Sequence, residues 1–237
     1  MTKVNNSTGM VVLSPEMKIY ELIDAAPVLL SLFSRLNIHL PFGDISIDEM
    51  CRRDGYNTQL FIELCAMHID LRHHPAVEVL TEDMLPEVIA YLRASHRYYT
   101  TVCFPSLHAK IHSLVKQLDD VSRRLIDKFF DDYDSEVCNH FKYEEEVVFP
   151  YIEQQLSGNS VQEYRISLFG NTHGNVNEKL SDLGSIIVKY LDENSTSQLH
   201  FDIVNEIHAI NRDLQKHSHI ENKLLIPLVE KLEAQYE

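Results

Sequence analysis

Apolar residues recur every three or four positions over most of this 237-residue chain, which is the period of amphipathic α-helices. The first such stretch follows Ser14 and Pro15, a good N-cap and a residue that suits the first turn of a helix. It opens a small helical domain predicted for residues 16–70, after a flexible N-terminus predicted for residues 1–15. Residues 71–82 are predicted to form a linker.

The remainder of the chain repeats the helical period in four long stretches that are separated by short polar segments. We predict helices over about residues 83–116, 121–155, 161–191 and 198–232. Pro105 is expected to kink the first of them. Because short connections place consecutive helices antiparallel, the sequence predicts an all-α protein: an antiparallel up-down four-helix bundle over residues 83–237, preceded by the small helical domain.

Charge and composition exclude several classes of function. A net charge of −15 at pH 7 disfavours nucleic-acid binding, which needs clustered Lys and Arg. No apolar run is long enough to span a bilayer, and Met1–Met10 lacks the apolar core of a secretory signal. The four cysteines form no Cys-x-x-Cys pair. These features predict a cytoplasmic protein that binds neither nucleic acid nor membrane.

An internal repeat relates the second and fourth predicted helices. Each carries His, three residues, Glu, four residues, an apolar residue and then Pro. The two copies are His140, Glu144, Phe149, Pro150 and His217, Glu221, Ile226, Pro227. They lie 77 residues apart, and the same shift relates His96 to His173. One constant shift preserves two histidines, a glutamate and a proline. This indicates that the chain contains a duplicated unit.

The repeated residues have the spacing of metal ligands. A His and a Glu four residues apart lie on the same face of a helix. One such pair alone is usually a solvated surface pair, but two copies with matched upstream histidines favour a metal centre. Four imidazoles and two carboxylates without thiolate suit iron or manganese better than structural zinc. The candidate metal ligands are His96, His140, Glu144, His173, His217 and Glu221.

This pattern, over about residues 83–235, resembles the hemerythrin-like family, and within it the RIC (repair of iron centres) proteins. The resemblance implies that the six candidate ligands hold two non-haem iron ions, with or without an oxo bridge. Oxygen-carrying hemerythrins usually have a fifth His. None stands at an equally clear position here, which disfavours simple O2 carriage.

RIC proteins also have a small helical N-terminal domain that carries an adjacent Cys-Cys pair. This chain has Leu40-Pro41-Phe42-Gly43 where the pair is expected. The resemblance implies a stress-response role in repairing iron–sulfur clusters damaged by nitrosative or oxidative stress, through iron donation or NO/O2 chemistry. Its partners would be damaged iron–sulfur proteins or the gases NO and O2.

Two other functions are compatible with the same residues. One is a sensor or binding module that responds to O2 or NO and acts through a partner protein. The less favoured one is an iron-storage or peroxide-scavenging bundle. Whether the protein is an enzyme and whether it forms a homodimer are left open by the sequence.

Overall fold

The computed structural model describes residues 1–6, 9–158, 164–172, 176–190 and 198–235. Nearly all of their regular structure is helical, which confirms the predicted all-α class. The α-helices are α1 (Ile19–Ala25), α2 (Leu29–Arg35), α3 (Ile47–Asp54), α4 (Thr58–Ile69), α5 (Leu85–Tyr98), α6 (Phe104–Val115), α7 (Asp120–Tyr143), α8 (Phe149–Leu156), α9 (Ile166–Thr172), α10 (Val176–Tyr190), α11 (Gln198–Ile220) and α12 (Ile226–Glu233). Short 3₁₀ turns lie at Val77–Val79 and Glu82–Met84.

Contacts between Cα atoms divide the chain into two compact units. The first unit comprises Met1–Ser95, Phe149–Asn171 and Lys216–Glu237, and the second comprises His96–Val148 and Thr172–Gln215. These bounds do not coincide with the predicted linker, so the division of the chain into domains at residues 70 and 82 stays a prediction.

The first unit is organised around α4, whose residues from Leu60 to His68 are all buried. Helices α2 and α3 both pack on α4, and the rings of Phe33 and Phe61 lie 5.6 Å apart. Helix α3 begins with a capping box between Ser46 and Glu49. Helices α1 to α4 thus all lie within residues 16–70, and the buried helix α4 contacts both α2 and α3.

A small β-hairpin opens the chain. Strand β1 (Thr2–Asn6) pairs antiparallel with β2 (Gly9–Leu13), and β1 packs on α4. Val4, Val11 and Leu13 are buried. The structure thus differs from the flexible N-terminus that the sequence predicts for residues 1–15, because these short strands are held by packing on a distant helix rather than by a local signal.

The second unit is a helical bundle with one continuous apolar core. Helix α6 packs on α7, and α7 packs on α10. The four-residue connection from Lys116 to Asp119 makes α6 and α7 antiparallel neighbours. Helices α10 and α11 approach closely at Gly184, where a Cβ atom would lie 3.3 Å from the Cγ2 of Ile207. The predicted helical bundle is therefore confirmed. Within the described ranges, no helix is both long enough and apolar enough to cross a bilayer.

Three π-helical segments interrupt the long helices. They are π1 (Tyr99–Cys103), π2 (Glu144–Val148) and π3 (Glu221–Leu225). Each one ends at the residue before an apolar residue that is followed by proline. A proline has no N–H to donate and its ring crowds the carbonyl four residues earlier, so a wider turn upstream of it relieves both problems. Where the sequence predicts a kink at Pro105, the structure has the π-helical segment π1, which joins α5 to α6 without a break in the helix.

Candidate metal centre

The first copy of the repeated motif places a buried carboxylate beside an imidazole. His140 lies in the last turn of α7 and Glu144 is the first residue of π2. The Nε2 atom of His140 lies 2.7 Å from Oε1 of Glu144, whose side chain is 0% exposed. The four-residue spacing therefore brings both side chains together on one helix face, as the sequence predicts.

A second imidazole approaches the same carboxylate from another helix. The Nε2 atom of His96, in the last turn of α5, lies 2.8 Å from Oε2 of Glu144. The ring of Phe141 stacks on the His96 ring with centroids 4.3 Å apart. Each oxygen of Glu144 consequently faces one imidazole nitrogen.

This arrangement fits a bound cation. The Nδ1 atom of His96 lies 2.8 Å from Oε1 of Glu145, and a neutral imidazole that donates its N–H there turns the lone pair of Nε2 towards Glu144. A lone pair and a carboxylate oxygen at 2.8 Å repel each other unless a proton or a metal ion lies between them. Since a buried carboxylate is costly without a compensating positive charge, the donor set suits a metal ion.

The second copy repeats this local geometry in the first unit. His217 lies in the last turn of α11 and Glu221 opens π3. The Nε2 atom of His217 lies 3.0 Å from Oε1 of Glu221, and the two side chains are 2% and 0% exposed. The duplicated motif therefore gives the same His–Glu pair at both places.

Four of the predicted ligands are buried His and Glu side chains that could bind a metal ion: His96, Glu144, His217 and Glu221. His140 contacts Glu144 but is more exposed, at 16%. His173 lies outside the described residues. The complete six-residue ligand set thus stays a prediction.

Two polar contacts of this region have no signal in the sequence. One is the contact between Glu145 and His96 described above. The other is a hydrogen bond of 2.8 Å from the buried hydroxyl of Tyr99 to Oδ2 of Asp213. Both join residues from different helices, so the spacing along one helix cannot reveal them.

Other histidines in the first unit have separate polar partners. The Nε2–H of His219 donates to the backbone oxygen of His73 at 2.8 Å, and burial lowers the pKa of His219. The ring of His73 lies 2.6 Å from the buried carboxylate of Glu63. His219 therefore has a role apart from that of its neighbours His217 and Glu221.

The fold and these side chains agree with a known family. The family model of the hemerythrin HHE cation-binding domain matches residues 87–229, more than half of the chain. None of the curated protein sequences compared with the chain matches it. Together with the buried His and Glu side chains, the match indicates a metal-binding module of the di-iron type. The chain belongs to the hemerythrin HHE cation-binding domain family.

Proposed function

We propose that the protein binds two non-haem iron ions and takes part in the repair of iron–sulfur clusters damaged by nitrosative or oxidative stress. The proposed ligands are His96, His140, Glu144, His173, His217 and Glu221. One observation carries the proposal: the fully buried carboxylate of Glu144 has an imidazole nitrogen within 2.8 Å of each oxygen. The recurrence of the motif at His217 and Glu221 is the reason for proposing two ions.

Iron suits this donor set. Imidazole and carboxylate ligands suit iron or manganese better than structural zinc, and no cysteine belongs to the proposed set. Bound iron would supply redox chemistry with NO and O2, and release of an iron would supply a damaged cluster. The protein's own side chains would hold the ions and limit the access of water, and the charge of the ions would offset that of the buried carboxylates.

Thiol chemistry has no support in the N-terminal region. The chain has Leu40-Pro41-Phe42-Gly43 where RIC proteins carry a Cys-Cys pair. Cys51 and Cys65 are both buried, and burial raises the pKa of the Cys51 thiol to about 12. The proposed repair, in a reduced cytoplasmic setting, therefore depends on the metal centre and its iron.

A reactivation assay tests this proposal. An iron–sulfur enzyme inactivated by NO is incubated with the iron-loaded protein or with the same amount of free ferrous iron. We expect the protein to restore more activity than free iron. The matched variants are Glu144→Gln, which should lose this effect, and Glu146→Gln, an exposed neighbour that should keep it. Equal recovery with the protein and with free iron would overturn the repair function.

The alternative is a sensor of O2 or NO that acts through a partner protein. It is favoured by the N-terminal helical region, which has Leu40-Pro41-Phe42-Gly43 in place of the cysteine pair and would serve as the contact surface for the partner. Pull-downs with and without NO separate the two functions. Partner binding that depends on NO, without reactivation of the damaged enzyme, would favour the sensor.

A further inference from the structure

The two copies of the ligand motif differ at the residue after the glutamate. Glu145 follows Glu144, whereas the shift of 77 residues places Asn222 after Glu221. Both residues are the second of a π-helical segment. One copy therefore offers a carboxylate at a position where the other offers a neutral amide.

The carboxylate has a defined role in the first copy. Oε1 of Glu145 lies 2.8 Å from Nδ1 of His96, while Nε2 of the same ring lies 2.8 Å from Oε2 of Glu144. Phe141 stacks against the ring. The His96 side chain is thus oriented through both nitrogens and one face, and its Nε2 is directed at the proposed metal ligand Glu144.

A carboxylate that accepts a hydrogen bond from a ligating imidazole strengthens that ligand. It fixes the tautomer and the ring orientation and makes the metal-binding nitrogen more basic, and losing it typically lowers metal affinity roughly 10-fold to 100-fold. A neutral amide oxygen polarises an N–H less than a carboxylate does. Under the repeat, Asn222 corresponds to Glu145 just as His173 corresponds to His96.

We propose that Glu145 is a positioning residue that makes the two iron sites unequal. The iron bound through His96 is retained, and the iron bound through the second copy of the motif, which lacks the carboxylate after its glutamate, is released first. This inference rests on the proposed metal centre and deepens it, since it identifies which iron the protein donates to a damaged cluster. Asn222 is exposed on π3, so a substitution there does not create a buried charge.

Iron release to a ferrous chelator, followed by absorbance after reduction, tests the inference without any repair assay. We expect the wild-type protein to release iron in a fast and a slow phase of equal amplitude. Glu145→Gln should accelerate the slow phase roughly 10-fold to 100-fold, and Asn222→Asp should slow the fast phase. Glu146→Gln is the matched control and should leave both phases unchanged, because its exposed side chain pairs only weakly with Lys142 at 3.9 Å.

The outcomes separate this inference from the proposed function. Release of both irons in one phase, or two phases that Glu145→Gln leaves unchanged, would overturn the inequality of the sites but not the metal centre. A wild-type protein that binds no iron would overturn the proposed function itself. If Glu145→Gln does not fold, Asn222→Asp decides, since an unaltered fast phase in that variant contradicts the inference.

Discussion

The stretches α7–π2–α8 and α11–π3–α12 are two copies of one motif. Their helical segments end at matching residues, 77 positions apart, but the side chains around them differ. In each, a π-helical segment begins at a fully buried glutamate that contacts the histidine four residues earlier. The histidines differ in exposure, at 16% for His140 and 2% for His217, and the residues after the glutamates differ in charge. A duplicated backbone can therefore keep its ligands while the neighbouring side chains diverge.

A third stretch, α5–π1–α6, separates the effect of the proline from that of the ligand. Its π-helical segment also begins six residues before a proline, Pro105, but Tyr99 stands where the other two have glutamate. Tyr99 is as buried as those glutamates and donates to Asp213. The segment thus accompanies the proline whether or not its first residue is a proposed metal ligand.

The largest expected effect is the loss of bound iron when either buried glutamate is removed. Glu144→Ala and Glu221→Ala should each abolish iron binding, because each removes a carboxylate within 3.0 Å of an imidazole nitrogen. Metal analysis of the purified variants measures this, with Glu146→Ala as the exposed control. Wild-type iron content in either glutamate variant would contradict the assignment of that glutamate as a metal ligand.

Removal of the metal should destabilise the protein. A ligand present at 100 times its Kd stabilises the native state by about 2.7 kcal/mol, so chelation should lower Tm by roughly 5–10 °C for a chain of this size. Glu144→Gln and Glu221→Gln should each raise the Tm of the metal-free protein, because a neutral amide costs less to bury than a carboxylate. Calorimetry measures both effects. An unchanged Tm on chelation would argue that the buried glutamates are neutralised by protons rather than by metal.

The prolines should differ in their effect on iron. Pro150→Ala and Pro227→Ala restore an N–H and allow π2 or π3 to narrow into α-helix, which would rotate the preceding helix relative to the following one and shift the buried glutamate at the start of the segment. We expect iron release to accelerate about 10-fold, in line with the cost of a misoriented ligand. Pro105→Ala is the matched control, because π1 contains no proposed ligand. Equal acceleration by all three variants would point to general loosening of the helices.

The smallest effect should follow modification of Cys138, which has Gln215 as its counterpart in the second copy. Cys138 is half-buried on α7, its Sγ lies 3.9 Å from Asp134, and burial raises the pKa of this thiol. Iodoacetamide should label it slowly at pH 8, and before the buried Cys51 and Cys65. Labelled protein should release iron at the unmodified rate. Mass spectrometry combined with the chelator assay checks both expectations, and faster release would place Cys138 nearer to the metal ligands than its contact with Asp134 indicates.

Much of the local structure could be predicted from the sequence. The second predicted bundle helix, over about residues 121–155, corresponds to the stretch from Asp120 to Leu156. The His140–Glu144 and His217–Glu221 contacts were also predictable, because both are four-residue spacings within one helix. The hairpin of β1 and β2 was not, since its two short strands depend on packing against α4.

The sequence by itself determined the all-α class, the duplication and the residues with metal-ligand chemistry, since each follows from periodicity or spacing along the chain. Only the tertiary structure decided that His96 and His140 face opposite oxygens of Glu144 and that Glu145 orients His96. These contacts join α5 to the end of α7, across about fifty residues of chain. Their geometry depends on how two helices pack, which is not encoded in the spacing within a single helix.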